Sequence, residues 1–178
     1  RVSRGLGDVY KRQVIIKAAA GGGGIGMQIV EKADEFEGAL KLCQSRAKSA
    51  FGDERVFVEK YIQGAQHVEF QVLADGKKAI HFGERFCSIQ RRHQKLVEEG
   101  PWLSDEKRAE IGALVCKGAE AVGYKGLATF EFLRDANGDF YFLEVNPRVQ
   151  VEHTVTELIT GHNLVEPVSY THLRAHET

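Results

Sequence analysis

"TFEFLRDANGDFYFLEVNPRVQVEH", Thr129 to His153, holds two alternating runs on either side of Asn137-Gly138. Asn-Gly between such runs signals a hairpin, because both residues tolerate the positive φ that a type I′ turn demands. A turn centred there pairs Glu131 with Glu144 and Thr129 with Asn146. It sends Phe130, Phe132, Leu143 and Val145 to the other, core-facing side. Two carboxylates directly opposite have Cβ atoms about 5 Å apart. At an effective dielectric of about 20 their repulsion costs about 3 kcal/mol. A hard divalent cation between them, flanked by Asn146, removes that penalty and can hold phosphate oxygens as well. The plain alternative is a pair of glutamates on a wet face.

Beyond the hairpin the same alternation continues. Glu144, Asn146, Arg148, Gln150 and Glu152 interleave with Val145, Pro147, Val149 and Val151. An extended chain would project acid, amide, guanidinium, amide and acid from one side. Pro147 cannot donate to a ladder, so the chain is expected to leave the sheet there. Arg148 and Gln150 suit a small planar anion, since a guanidinium fork matches two coplanar oxygens. Glu152 beside them suits a general base. As a bare pattern, a solvated strand face reads equally well.

Upstream the chain alternates between α and β. "VIIKAAA" is a buried strand leading into four glycines, Gly21, Gly22, Gly23 and Gly24. Glycines let backbone amides approach an anion closely, and Lys17 can add a point charge, as for phosphate. A flexible surface turn would look similar. No Gly-Lys-Ser/Thr closes the loop as in a Walker A motif, and no Rossmann-type βαβ unit follows. Phe36, Leu40, Cys43, Ala47 and Ala50 recur at helical spacing, and "RVFVEKYI" is a strand. "HVEFQVLADGKKAIHFGER" reads as a hairpin turning at Asp75-Gly76. Ser104 caps a second helix whose apolar stripe is Ile111, Leu114, Val115, Gly118 and Val122, and Gly123 suits its end. These elements predict an α+β fold.

A basic stretch, "GERFCSIQRRHQKLVEE", places Arg85, Arg91, Arg92, His93 and Lys95 ahead of Glu98. Globally the charge is balanced, 24 Lys+Arg against 25 Asp+Glu in 178 residues. That gives no bulk pull toward nucleic acid or an acidic membrane. No apolar run approaches the length of about 20 residues that a span requires. The cysteines Cys43, Cys87 and Cys116 are far apart and form no CxxC, which predicts a reducing, cytoplasmic setting. The ends differ from the interior. Residues 1–13 and 168–178 resemble translated sequencing-adaptor DNA and are expected to pack poorly. The remainder divides into 14–62 and 63–167 and is expected to be a piece of a longer protein, beginning in mid-strand.

Together "KAAAGGGGIGM", "FVEKYI", "HVEFQVL", "SIQRRHQK", "TFEFL" and "NPRVQVEHTVTE" resemble, in order, the biotin carboxylase component of biotin-dependent carboxylases, an ATP-grasp family. The pairing of "SIQRRHQK" with "NPRVQVEH" is the specific part. Carbamoyl-phosphate synthetases share a similar "EVNPR" without the QVEH continuation. The resemblance implies a partial ATP-grasp fold, with a glycine-loop lid subdomain over 14–62 and an antiparallel ATP-binding core over 63–167. It implies MgATP-driven activation of bicarbonate as carboxyphosphate and transfer of CO₂ to carrier-linked biotin. The cofactors are then ATP, Mg²⁺ or Mn²⁺, and biotin. Implied partners are a biotin carboxyl carrier protein or domain, a carboxyltransferase and a second copy in a homodimer.

Residue by residue, the resemblance makes Lys17 and Gly21 to Gly24 the phosphate lid. It makes Glu59, Lys60 and Ile62 part of the adenine hinge. His67, Gln90 and His93 fall near the nucleotide, although His67 alone reads as a polar strand position. Glu131, Glu144 and Asn146 become metal contacts. Lys95, Arg148, Gln150 and the backbone of Val151 become the bicarbonate pocket, and Glu152 its general base. Ile25 stands where many relatives carry a basic residue. An N-terminal domain, an upstream lysine and a downstream arginine of the family lie outside the chain, so this stretch alone is not expected to turn over. The rival readings are another ATP-grasp carboxylate–amine ligase and a truncated, non-catalytic nucleotide-binding domain. The final acceptor, an acyl-CoA or pyruvate, is chosen by the separate carboxyltransferase.

Overall fold

A computed structural model describes residues 13–21, 26–91 and 94–167. The adaptor-like ends, apart from Gln13, lie outside the described residues, as do Gly22, Gly23, Gly24, Ile25, Arg92 and His93. Gln13 accepts a backbone hydrogen bond from the Tyr61 amide (3.2 Å), so it is tied to its neighbours. The chain forms two units that meet in sequence at Gln63 and Gly64.

The first unit contains β1 (Val14–Ala18), β2 (Gln28–Val30), α1 (Phe36–Phe51) and β3 (Val56–Lys60), with strand order β2-β1-β3, all antiparallel. Ile16, Val30 and Cys43 form its core, joined by Phe36 and Leu40. Of the spacing that predicted α1, Phe36, Leu40, Cys43 and Ala47 turn inward, while Ala50 is exposed. Gly52 ends the helix with φ 74°, returning its amide to Lys48.

The second unit is a five-stranded antiparallel sheet with α-helices. Its elements are β4 (Gln66–Asp75), β5 (Ala79–Arg91), β6 (Gln94–Glu99), α2 (Asp105–Ala121), β7 (Lys125–Arg134), β8 (Phe140–Asn146) and α3 (His153–Thr160). Strand order is β6-β5-β4-β7-β8. One sheet face presents Val68, Phe70, Val72, Ala128, Phe130 and Phe132 to Ile111, Val115 and Ala119 of α2. Each such buried side chain contributes about 1.5–3 kcal/mol relative to exposure. α2 lies close to β5 because Gly112 has no side chain. A Cβ there would sit 2.3 Å from His81 Nε2.

Both hairpins differ from expectation at the turn. Between β4 and β5, Asp75 pairs with Lys78, so the loop residues are Gly76 and Lys77. The Asp75 carboxylate accepts from the Lys77 and Lys78 amides, holding Asp75 in the ladder and moving the turn on by one residue. Between β7 and β8 the loop is Ala136-Asn137-Gly138, closed by Asp135 N–H to the Asp139 carbonyl (3.0 Å), and not a two-residue type I′ turn. That shift would have broken the Glu131–Glu144 pairing. A bulge between Glu131 and Phe132 restores it, and Thr129 faces Asn146 as expected. Leu143 is the extra residue there. It does not join the core, where Val145 and Phe140 pack instead.

Ser104 caps α2 through the Lys107 amide, and Gly123, at φ 61°, follows its end. The predicted stripe is only half buried. Leu114 and Val122 face outward and line an apolar hollow of about 450 Å³ with Phe142 and Val145. β2, β6 and α3 have no counterpart in the sequence reading. The segment after Pro147 does leave the sheet, but it turns into α3 and is not extended.

Candidate functional site

The second face of the five-stranded sheet is polar and nevertheless buried. Strand alternation puts His67, Glu69 and Gln71 of β4 on this side, with Arg85 and Cys87 of β5 and Thr129 and Glu131 of β7. All seven are at most 9% exposed. Glu69 lies between Arg85 and Glu131 in the ladder.

Arg85, fully buried, donates to Glu69 (2.6 Å), to Gln71 Oε1 (2.9 Å) and to Thr156 Oγ1 of α3 (2.7 Å). Lys95 of β6 reaches the same group. Its ammonium contacts Glu69, Glu131 Oε1 at 3.1 Å and Glu152 Oε1 at 2.6 Å. Burial pulls the Lys95 pKa down, but the three carboxylates outweigh it and the net shift is upward. The basic stretch of the sequence is therefore spent in large part on internal acids. Arg85 and Lys95 neutralise carboxylates from β4, β7 and the start of α3, while Arg91 is exposed.

Glu131 is the most heavily contacted of the acids. His67 Nε2 lies 2.8 Å from its Oε2, and Asn146 Nδ2 (2.9 Å) and Gln150 Nε2 (3.3 Å) donate to its Oε1. Burial raises its pKa, but His67 and Lys95 win and hold it at about 2. The repulsion expected between Glu131 and Glu144 is thus relieved at Glu131 by Lys95. Glu152 behaves similarly, with burial raising its pKa and the Lys95 ammonium bringing it below the usual range. Asn146 turns its amide nitrogen to Glu131, which leaves Oδ1 available. Among the described residues the Glu144 carboxylate has no protein partner. Two carboxylates and an amide oxygen on adjacent strands fit the needs of a hard cation.

Other predicted residues are less convergent. Arg148 is exposed, and its guanidinium hydrogen-bonds only the neighbouring Val149 carbonyl among the described residues (3.2 Å). Gln150 is buried where Arg148 is exposed, so the two do not project from one side as the alternation implied. The reason is the turn after Pro147, which ends the strict alternation. Val151 is 88% exposed in that turn, and Glu152 stands at the N-terminus of α3. Gln90 of β5 donates to the Cys87 carbonyl (2.7 Å). In the first unit Lys17 forms an ion pair with Glu59; Lys60 is the last residue of β3, and Gly21 and Ile62 follow β1 and β3.

The sequence reading missed Glu69, Glu98 and Cys87. The signal was the period-two run His67, Glu69, Gln71 in a strand with apolar alternates, which marks a second, polar, buried face. Cys87 Sγ donates to Glu98 Oε2 (2.7 Å). The buried atoms His67 Nδ1, Glu98 Oε1 and Gln150 Oε1 have no partner among the described residues.

This architecture and polar face define an ATP-grasp domain. Over residues 8–170 the chain belongs to the carbamoyl-phosphate synthase L chain, ATP-binding domain family. A pyruvate carboxylase subunit from Methanothermobacter thermautotrophicus is 54% identical over 164 residues, covering 90% of this chain and 33% of that protein. A biotin carboxylase from Campylobacter jejuni, solved as a β-γ-ATP complex, superposes with a TM-score of 0.83 at 51% identity, covering 86% of this chain and 35% of that one. The biotin carboxylase domain dimer of Hydrogenobacter thermophilus 2-oxoglutarate carboxylase, solved with MgADP, ADP and bicarbonate, gives 0.81 at 48%, covering 85% and 34%. The chain spans about a third of the length of these relatives. No helix among the described residues is long and apolar enough to cross a membrane.

Proposed function

We propose that this chain is the ATP-grasp segment of a biotin carboxylase, which uses ATP to activate bicarbonate and carboxylates biotin on a carrier protein or domain. The observation that carries the reading is the junction of Lys95, Glu131 and Glu152. The Lys95 ammonium, from "QRRHQK", lies within 3.1 Å of a carboxylate oxygen of Glu131, from "TFEFL", and of Glu152, from "NPRVQVEH". In this reading Glu152 takes the bicarbonate proton. Lys95, now shared by three carboxylates, turns part of its charge to the incoming anion. Gln150, through its Nε2 donor turned from Glu131, and the Val151 backbone hold that anion. Arg148 joins them on the motif alone, its side chain being free to swing from an exposed turn.

Glu131, Glu144 and Asn146 would hold Mg²⁺ or Mn²⁺, whose chemistry is to neutralise phosphate oxygens of ATP. Lys17, Gly21 to Gly24, Glu59, Lys60, Ile62, His67, Gln90 and His93 would contact the nucleotide. A carboxyltransferase would receive the carboxyl group, and the whole enzyme would be a homodimer, as the Hydrogenobacter domain is.

The test is ATP hydrolysis by the complete parent enzyme with Mg²⁺, with bicarbonate and free biotin varied. Bicarbonate-dependent hydrolysis stimulated by biotin is expected. Stimulation by ammonia and not by biotin would instead make it a carbamoyl-phosphate-type ligase. No nucleotide turnover at all would sink the enzymatic reading.

A further inference from the structure

Glu98 has no part in the site as read from the motifs, yet it lies inside it. Its side chain is 12% exposed. Residues 95 and 98 of a regular strand would point to opposite faces. Register shifts in the β5–β6 ladder, between Phe86 and Ile89 and between Ile89 and Gln90, let Lys95 and Glu98 both reach the polar face. Irregularities of this kind commonly re-aim a side chain next to a functional site.

The surroundings of Glu98 are unusual for a carboxylate. One oxygen accepts from the Cys87 thiol, and the other is buried without a donor among the described residues. Arg85 Nε, from β5, stands 4.0 Å away but is already engaged by Glu69. Lys95, on its own strand, is engaged by Glu69, Glu131 and Glu152. From β4 comes Glu69, from α3 Glu152, and carboxylate oxygens of Glu69, Glu98 and Glu152 lie within 4.8 Å of one another. His67 of β4 groups with Glu69 and Cys87, on the far side of the same acid. Among the described residues Glu69, Glu98, Glu131 and Glu152 thus share two permanent cations, Arg85 and Lys95. The group left worst compensated is Glu98, and burial in particular pushes its carboxyl up to about 7.

We propose that Glu98 is a positioning residue for Glu152: its ionised carboxylate raises the proton affinity of Glu152, and its protonation lowers it. This rests on the reading of Glu152 as the base for bicarbonate. In that step the bicarbonate O–H bond breaks and the proton moves to the Glu152 carboxylate. The freed oxygen bonds to the γ-phosphorus of ATP as the bond to the departing ADP oxygen breaks. Glu98 neither gains nor loses an atom in it. Its charge sets how strongly Glu152 draws the proton, and it relaxes when Glu152 becomes neutral. Without that charge Glu152, held low by Lys95, would be a poor base.

The experiment is the pH profile of biotin-dependent ATP turnover in the complete enzyme, comparing wild type with Glu98→Gln. Gln mimics the protonated acid in shape and charge. At about pH 6 the two should have equal kcat, because the wild-type carboxyl is already protonated. At about pH 8.5 the variant should be roughly five- to tenfold slower. Glu98→Asp keeps an ionisable group and should follow the wild-type profile, which provides a second arm if the Gln variant does not fold. A variant slower by the same factor at every pH overturns the proposal, as does an Asp variant whose profile is flat. Wild-type enzyme without bicarbonate-dependent turnover would instead bring down the reading of the site itself.

Discussion

Two buried glutamates of the same sheet have opposite surroundings. Glu84 of β5 has a fully buried carboxylate that receives the Trp102 and Leu103 amides and both Nε and Nη2 of Arg108, all within 3.1 Å. Burial raises its pKa, but these donors prevail and lower it. One acid meets one cation and its lone pairs are filled. Around Lys95, among the described residues, four acids share two permanent cations, and three buried polar atoms lack partners. A carboxylate that only shapes the chain is saturated by the chain. One kept for a ligand retains spare charge and spare lone pairs, at a cost in stability.

The largest effect that sharpens this contrast is expected at Glu84. Replacing it with Ala leaves two amides without an acceptor and Arg108 with only Asp105 and the Leu103 carbonyl. Chemical denaturation of Glu84→Ala should show a loss of about 3–5 kcal/mol, the range for a buried pair robbed of one partner. A loss below about 1 kcal/mol, the level of an exposed ion pair, would erase the distinction between the two clusters.

Next comes Glu152, on the other side of the comparison. In the complete enzyme Glu152→Gln should leave MgATP affinity unchanged and slow biotin carboxylation by about 100-fold or more, the scale of general-base catalysis. Near-normal turnover removes Glu152 from the chemistry. Loss of ATP binding would assign it to holding Lys95 in place, making it a structural residue like Glu84.

Local alternation made much of this legible. The strands other than β2 and β6, both long helices, the Ser104 cap and the Glu131–Glu144 pairing follow from patterns within single segments. The pairing was nevertheless reached through the wrong turn. Asp135 draws in the Asn137 and Asp139 amides, and a bulge absorbs the offset. What alternation could not supply is which strands lie side by side. Glu69 meets Glu131 only because β4 sits beside β7, a long-range pairing with no local signature. Glu98 was hidden further by the ladder shifts in β5–β6. The alternation from Arg148 to Glu152 breaks because α3 starts sooner than the extended pattern implied. α3 is anchored in part by Thr156, a threonine that reaches Arg85.

The smallest expected effect concerns the stability cost of the unsatisfied cluster, read at Glu98 in this chain. Its folded-state pKa of about 7 lies above the ordinary 4.5. The fold therefore favours the protonated acid. A carboxyl with a raised pKa contributes its stability in full below about pH 4.5 and loses it as pH rises through about 7. Above that point the chain holds an ionised, under-compensated carboxylate. Gln cannot ionise, so Glu98→Gln escapes this loss. The variant should match wild type in thermal unfolding near pH 4 and be more stable near pH 8 by about 1–3 kcal/mol, since moving a pKa by one corresponds to about 1.4 kcal/mol. The sign is what matters, because the same substitution is expected to slow the complete enzyme at alkaline pH. A residue whose removal stabilises the fold while weakening turnover belongs with the ligand-directed acids. Glu98→Gln destabilised equally at both pH values would place Glu98 beside Glu84, as an acid the fold needs for its own sake.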